Sequence, residues 1–192
     1  MARTKEFNPE EALEAAVNVF WRLGYEHTSL DALMQEMGVA RQSLYDTFGD
    51  KRSLYLKALT HYRDGNHAML RELFARDRSV KAGFAKLLMD LARESRAEHE
   101  RGCLLLSANM ERATDDTEVA EFLHDNQKTV ERIFFDALTR AQERGEISKD
   151  KDVKALARFF VVTIQGMRAT ARVSHEPKAL ETIASVALKS LE

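Results

Sequence analysis

Residues 28–51 read TSLDALMQEMGVARQSLYDTFGDK, and the fold turns on how this stretch is parsed. Leu30, Leu33, Met34 and Met37 recur at i, i+3, i+4 and i+7, which places them in one apolar stripe along a helix. Thr28 or Ser29 suits the cap of that helix, and Asp31 its first turn, where a carboxylate meets the positive end of the helix dipole. Gly38 ends it, because glycine takes the left-handed C-cap conformation without steric cost. A second helix is predicted from about Ala40 to Phe48, with Leu44 and Phe48 one turn apart on its inner face. Arg41, Gln42, Ser43, Asp46 and Thr47 then turn largely outward.

Two short helices joined by a tight glycine turn, the second with a polar outer face, describe a helix-turn-helix whose second helix can enter a DNA major groove. The groove is wide enough for one helix, and its base edges carry patterns that Gln, Arg, Ser and Thr read. Helical hairpins with polar outer faces also occur in proteins that never touch nucleic acid, so the pattern alone leaves both readings open.

The flanking residues add a resemblance. Ala16, Phe20, Gly24, Tyr25, Thr28 and Ser29, then Gly38, Val39, Leu44, Tyr45, Phe48, Lys51 and Leu54, make residues 8–57 resemble the DNA-binding domain of the TetR family of bacterial transcriptional regulators. The family tract Gly-Val-x-x-x-x-Leu-Tyr-x-x-Phe-x-x-Lys is in register from Gly38 to Lys51. Ala40 departs from it, standing where a Ser usually caps the helix, at a cost of about 1 kcal/mol. Thr47 departs too, where a His is frequent. The resemblance implies that Lys51 and the Tyr45 hydroxyl lie beside DNA phosphates, with the Tyr45 ring packed inward. The DNA-binding set expected is Thr28, Arg41, Gln42, Ser43, Tyr45, Thr47 and Lys51. Gln42 is the candidate for base readout, since its amide can pair bidentately with adenine, and Arg41 would read guanine or hold a phosphate.

Composition fits this reading. With 2 prolines and 8 glycines against 44% hydrophobic residues, the chain is rich in continuous helix and poor in turns, so an all-α fold is expected. A net charge of −2 gives no sign of a polyanion partner, and residues 1–60 carry seven Lys and Arg against nine Asp and Glu. DNA affinity must then come from a few well-placed cations, and non-specific binding should be weak. A single cysteine excludes an intramolecular disulfide and suits a reducing cytoplasm. The start MARTKEF lacks the apolar run of a signal peptide, and FFVVTI near the end is too short to span a bilayer, so no membrane partner is expected.

In chain order, Arg3 and Lys5 form a short arm able to reach a phosphate or the minor groove. Asn8, Pro9, Glu10 and Glu11 open the first helix, which buries Leu13, Ala16, Val17 and Phe20 and stops at Gly24. Asp50 caps a long helix reaching about Ala75 and carrying Leu54, Ala58 and Leu59 inward. A Ser79-capped helix follows and runs out into the charged segment RESRAEHER. Gly102 opens the shorter helix CLLLSANMERA, and another runs from near Thr117 to Gly145. The architecture expected is a three-helix DNA-binding domain over residues 1–50 and a helical ligand-binding and dimerisation domain over residues 51–192, about nine helices in all.

The last two of these helices, the eighth from Asp150 or Asp152 and the ninth from Pro177, carry apolar stripes wider than one internal face requires. Phe159 and Val162 lie outside the inner stripe, and Gly166 and Ala169 would allow close approach. The resemblance implies a homodimer through these two helices, and a twofold pair of recognition helices would read a palindromic double-stranded operator.

No nucleophile motif, glycine-rich phosphate loop or paired metal-ligand spacing is present, so no enzymatic activity, cofactor or metal is expected. The histidines at 27, 61, 67, 99, 124 and 175 never fall at i, i+4. Ser107, Asn109, His124, Asn126 and Gln127, polar among apolar neighbours, could orient an unknown small-molecule inducer or face solvent. Gly102-Cys103 resembles a Gly-Cys pair opening the corresponding helix in a TetR subgroup, some of whose members sense electrophiles or oxidants. A helix N-terminus favours thiolate, and Arg101 pushes the same way, although most free cysteines behave as small buried hydrophobes. The function expected is a repressor released from its operator by a small molecule or by modification of Cys103. A small-molecule binding helical protein without DNA-binding activity is the alternative.

Overall fold

The computed structural model describes residues 7–75 and 78–192; Arg3 and Lys5 lie outside the described residues. Those residues form ten helices and no strand: α1 Pro9–Leu23, α2 Leu30–Met37, α3 Arg41–Phe48, α4 Lys51–Leu73, α5 Val80–Ala92, α6 Arg96–Arg101, α7 Leu104–Arg112, α8 Thr117–Glu143, α9 Val153–Val173 and α10 Pro177–Lys189.

Local chemistry sets most of the helix ends. The Asn8 side chain accepts from the Glu10 amide and Pro9 occupies the first helical position of α1. Ser29 rather than Thr28 caps α2 by accepting from the Ala32 amide, and Gly38 closes it at φ 63°, ψ 33°, the left-handed conformation that favours glycine. Asp50 accepts from the Ser53 amide at 2.7 Å to start α4. Ser79 and Asp152 cap α5 and α9 in the same way.

The tenth helix, α6, lies within RESRAEHER, which was expected to be the ragged end of α5. It has no apolar stripe to announce it. It forms because Ser95 and Glu98 make a capping box: the Ser95 side chain accepts from the Glu98 amide at 3.3 Å, and Glu98 accepts from the Ser95 amide at 2.7 Å. Gly102 therefore ends α6 at φ 67°, and Cys103 takes the N-cap position of α7.

The chain divides into two compact units, one of Met1–Asn66 with Cys103–Glu121 and one of His67–Gly102 with Phe122–Glu192. In the first, Ala16, Phe20, Leu33, Leu44, Leu54 and Leu59 are fully or almost fully buried, and the Phe20 and Tyr55 rings meet edge-on at 4.9 Å. The helix α7 and the start of α8 belong to this unit although they lie far along the chain. In the second, Phe84 is the hub of an aromatic cluster, stacked on Phe160 at 4.0 Å, tilted against Phe74 at 4.7 Å and edge-on to Phe134 at 5.1 Å. Gly83 is required beside it, because a Cβ there would stand 2.7 Å from the Phe74 ring. No helix among the described residues is long and apolar enough to cross a membrane.

Candidate nucleic-acid interface

Helix α3 is fastened by two side chains and open elsewhere. Leu44 and Phe48 are 1% and 4% exposed, and the Phe7 ring lies 6.4 Å from that of Phe48. Arg41, Gln42, Tyr45 and Asp46 are exposed, and Ser43 and Thr47 half-buried. Burying one stripe of a short helix forces the other residues outward, and here those are hydrogen-bonding groups. No side chain caps the helix at Ala40.

The open face has internal order. The Gln42 amide donates from Nε2 to Asp46 Oδ1 at 2.8 Å, one turn along. Arg41 reaches back from Nη2 to Asp31 Oδ1 on α2 at 3.1 Å. Both contacts are solvent-exposed and worth little in water, so either side chain can exchange its partner for a base edge or a phosphate.

Two expected contact residues stand differently. Thr28 is 2% exposed, and its hydroxyl donates to the Gly24 carbonyl, so it closes the turn after α1 and does not face the open side. The Tyr45 ring does not pack inward: the residue is 41% exposed, because α3 spends its buried stripe on Leu44 and Phe48. Lys51 is held, its Nζ lying 4.3 Å from the centroid of the Tyr25 ring in a cation–π contact.

Around Tyr25 lies a charged network that no periodicity in the sequence reveals. Arg52 grips Asp116 with two bonds, Nε to Oδ2 at 2.9 Å and Nη2 to Oδ1 at 2.8 Å, and also meets Glu118 at 2.8 Å. Asp116 is buried, accepts from the Val119 amide, and is held well below the usual carboxylate range by the Arg52 guanidinium. Arg112 bonds Glu26 at 2.6 Å and lies 4.6 Å over the Tyr25 ring. Burial pushes the Tyr25 hydroxyl up.

The residues expected to sense a ligand fall into two groups. Cys103, Ser107 and Asn109 lie on or at the start of α7 in the first unit, where Cys103 and Ser107 are half-buried and Asn109 is exposed. The Tyr62 hydroxyl donates to Cys103 Sγ at 3.8 Å, and the Tyr62 ring meets Trp21 of α1 edge-on at 4.7 Å. His124 and Gln127 lie exposed on α8 in the second unit. Between them in sequence, Asn126 accepts from the buried His67 at 2.9 Å, a polar pair joining α4 to α8.

A short helix bolted down by two apolar residues behind a left-handed glycine, with hydrogen-bonding side chains over its open face, has the geometry of a helix-turn-helix. Residues 12–58 match the family model described as bacterial regulatory proteins, tetR family, and residues 84–187 match that of the tetracyclin repressor-like C-terminal domain. The chain belongs to the TetR family of bacterial transcriptional regulators. It is 34% identical to the uncharacterized HTH-type transcriptional regulator YezE of Bacillus subtilis (strain 168), covering 100% of both chains. It is 31% identical to the HTH-type transcriptional repressor ComR of Escherichia coli (strain K12), over 97% of this chain and 90% of that one. Among solved structures it resembles a cysteine mutant of the TetR family transcriptional regulator CifR complexed with 26-base-pair operator DNA, with a TM-score of 0.86, 28% identity and 100% of both chains covered.

Proposed function

We propose that this protein is a cytoplasmic repressor that binds a palindromic operator as a homodimer and lets go when a small molecule binds or Cys103 is modified. The observation that carries the reading is the open polar face of α3 above the buried Leu44 and Phe48. Gln42 reads a base, Arg41 reads guanine or holds a phosphate, Tyr45 and Lys51 hold phosphates, and Ser43 and Thr47 complete the contact face. Thr28 supports the turn beneath them. Residues 1–50 do the reading, and residues 51–192 bind the inducer and dimerise.

Dimerisation is supported by an apolar stripe left uncovered on the last two helices. On α9, Phe159, Val162 and Val173 are 42%, 63% and 91% exposed, and Gly166 and Ala169 fall on the same line. On α10, Ile183 and Val186 continue it at 42% and 62% exposure. Among the described residues, nothing beyond the helix's own backbone lies within 4 Å of where a Gly166 Cβ would stand, so a second helix can approach closely there. Light scattering at micromolar concentration should return twice the chain mass; a monomer contradicts this part of the reading.

Release is a population shift between a form with correctly spaced recognition helices and one without. Cys103 is suited to thiol control by its place at the start of α7, within the same compact unit as α3, where the Tyr62 hydroxyl occupies its sulfur. The test is retardation of the DNA upstream of its own gene. Wild type should bind and lose binding on treatment with a quinone or hypochlorite, whereas Cys103→Ser should bind equally well and resist the reagent. Equal sensitivity in the two proteins removes the thiol from the mechanism.

A further inference from the structure

The turn between α1 and α2 is pinned from a distance. Gly24 ends α1 at φ 75°, and the next two backbone amides converge on one side chain of α7: the Tyr25 N–H donates to Glu111 Oε2 at 2.9 Å and the Glu26 N–H to Oε1 at 2.8 Å. The carboxylate fits so closely that a Cβ on Gly24 would stand 2.9 Å from Oε2. The adjacent Arg112 holds the Glu26 carboxylate and lies over the Tyr25 ring, the same ring on which Lys51 rests.

We propose that Glu111 is a positioning residue for operator binding: its carboxylate sets the direction of the turn entering the helix-turn-helix and, through Tyr25, the place of Lys51. The inference rests on the DNA-binding function proposed above. Two charge-assisted bonds to successive amides define the turn at two points, which neither bond alone does. Water can satisfy those amides in number but not in place, since Glu26 is exposed and Tyr25 only half-buried. Removing the carboxylate therefore leaves the fold nearly intact while the turn samples further orientations. Apparent operator affinity then falls in proportion to the fraction of molecules still correctly oriented. Because α7 carries both Glu111 and Arg112, any displacement of that helix reaches the turn through backbone contacts as well as through packing.

The experiment compares full-length wild type with Glu111→Gln, which keeps the side-chain shape but sets an NH2 group against a backbone N–H. Expected are roughly tenfold weaker binding to the upstream DNA, a melting temperature within a few degrees of wild type, and faster amide exchange confined to Tyr25 and Glu26. A residue that only held the fold would move melting and binding together. Gly24→Ala, made alone and with Glu111→Ala, supplies a second measurement: the strain of positive φ is common to both backgrounds, so the contact alone is isolated. The operator-binding penalty of Gly24→Ala should shrink once Glu111 is gone; additive penalties overturn the proposal. A wild type that binds with a Glu111→Gln variant that binds equally well overturns this inference alone. A wild type that does not retard the DNA overturns the proposed function, and this inference with it.

Discussion

Both compact units join segments far apart in sequence through rings and through charged groups, and what differs is where the charged groups lie. In the unit carrying α3, residues 111–118 meet Tyr25, Glu26 and Arg52 through carboxylates, guanidinium groups and backbone amides: Glu111 to the turn after α1, Arg112 to Glu26, Arg52 to Asp116 and Glu118. In the other unit, ring contacts of Phe84 with Phe74, Phe134 and Phe160 bring the end of α4, α5, α8 and α9 together, while Glu146 accepts from the Val80 and Lys81 amides at the start of α5 and Arg93 pairs with Glu181. Apolar packing is strong and non-directional. Hydrogen-bonded ion pairs add less net stability but fix direction. Stability is then assigned chiefly to the buried rings of the second unit, and the proposed aim of the turn before α2 to the carboxylate network of the first.

The largest effect should come from the cluster. Phe84 is fully buried, and Phe84→Ala is expected to cost about 3–5 kcal/mol by urea denaturation. A loss well under that range would contradict the assignment of stability to this cluster.

Asp116→Asn should cost less than Phe84→Ala and change the acid response. The Arg52 guanidinium lowers the Asp116 carboxyl in the folded protein. Its contribution is therefore present above the ordinary aspartate pKa of about 4 and lost as pH falls below that value through the lower folded one. Stability measured from pH 7 downward should fall less steeply below about pH 4 in Asp116→Asn than in wild type. Parallel curves would remove the ion pair from the account.

The smallest effect concerns α3 itself. Ala40 provides no side-chain cap, so Ala40→Ser should add about 0.5–1 kcal/mol of stability in urea. No gain would mean that the first amides of α3 are already well satisfied by water.

The contrast also explains what could be read from sequence. Caps such as Asn8, Ser29, Ser79 and Asp152 act within three residues of themselves, so the helices they start were legible. Leu44 and Phe48, one turn apart, disclosed which face of α3 is buried. The capping box of Ser95 and Glu98 was equally local, yet α6 was passed over because it shows no apolar period. Glu111 is a different matter: its partners lie 85 and 86 residues away, and a contact at that separation leaves no periodic mark. Thr28 shows another limit: its partner is only four residues away, but a hydroxyl can bond a phosphate or a carbonyl, and here it bonds that of Gly24. Tyr45 shows a third kind of limit, since an aromatic ring was expected to turn inward on a helix whose inner stripe was already filled.

Base reading by the open side of α3 is tested by the operator affinity of Gln42→Ala against wild type, on the matched site and on unrelated DNA at one salt concentration. Binding to the matched site should weaken by about 1–3 kcal/mol, with binding to unrelated DNA nearly unchanged. An equal loss on both sequences would make Gln42 a backbone contact, and no loss on either would contradict the placement of α3 in the groove.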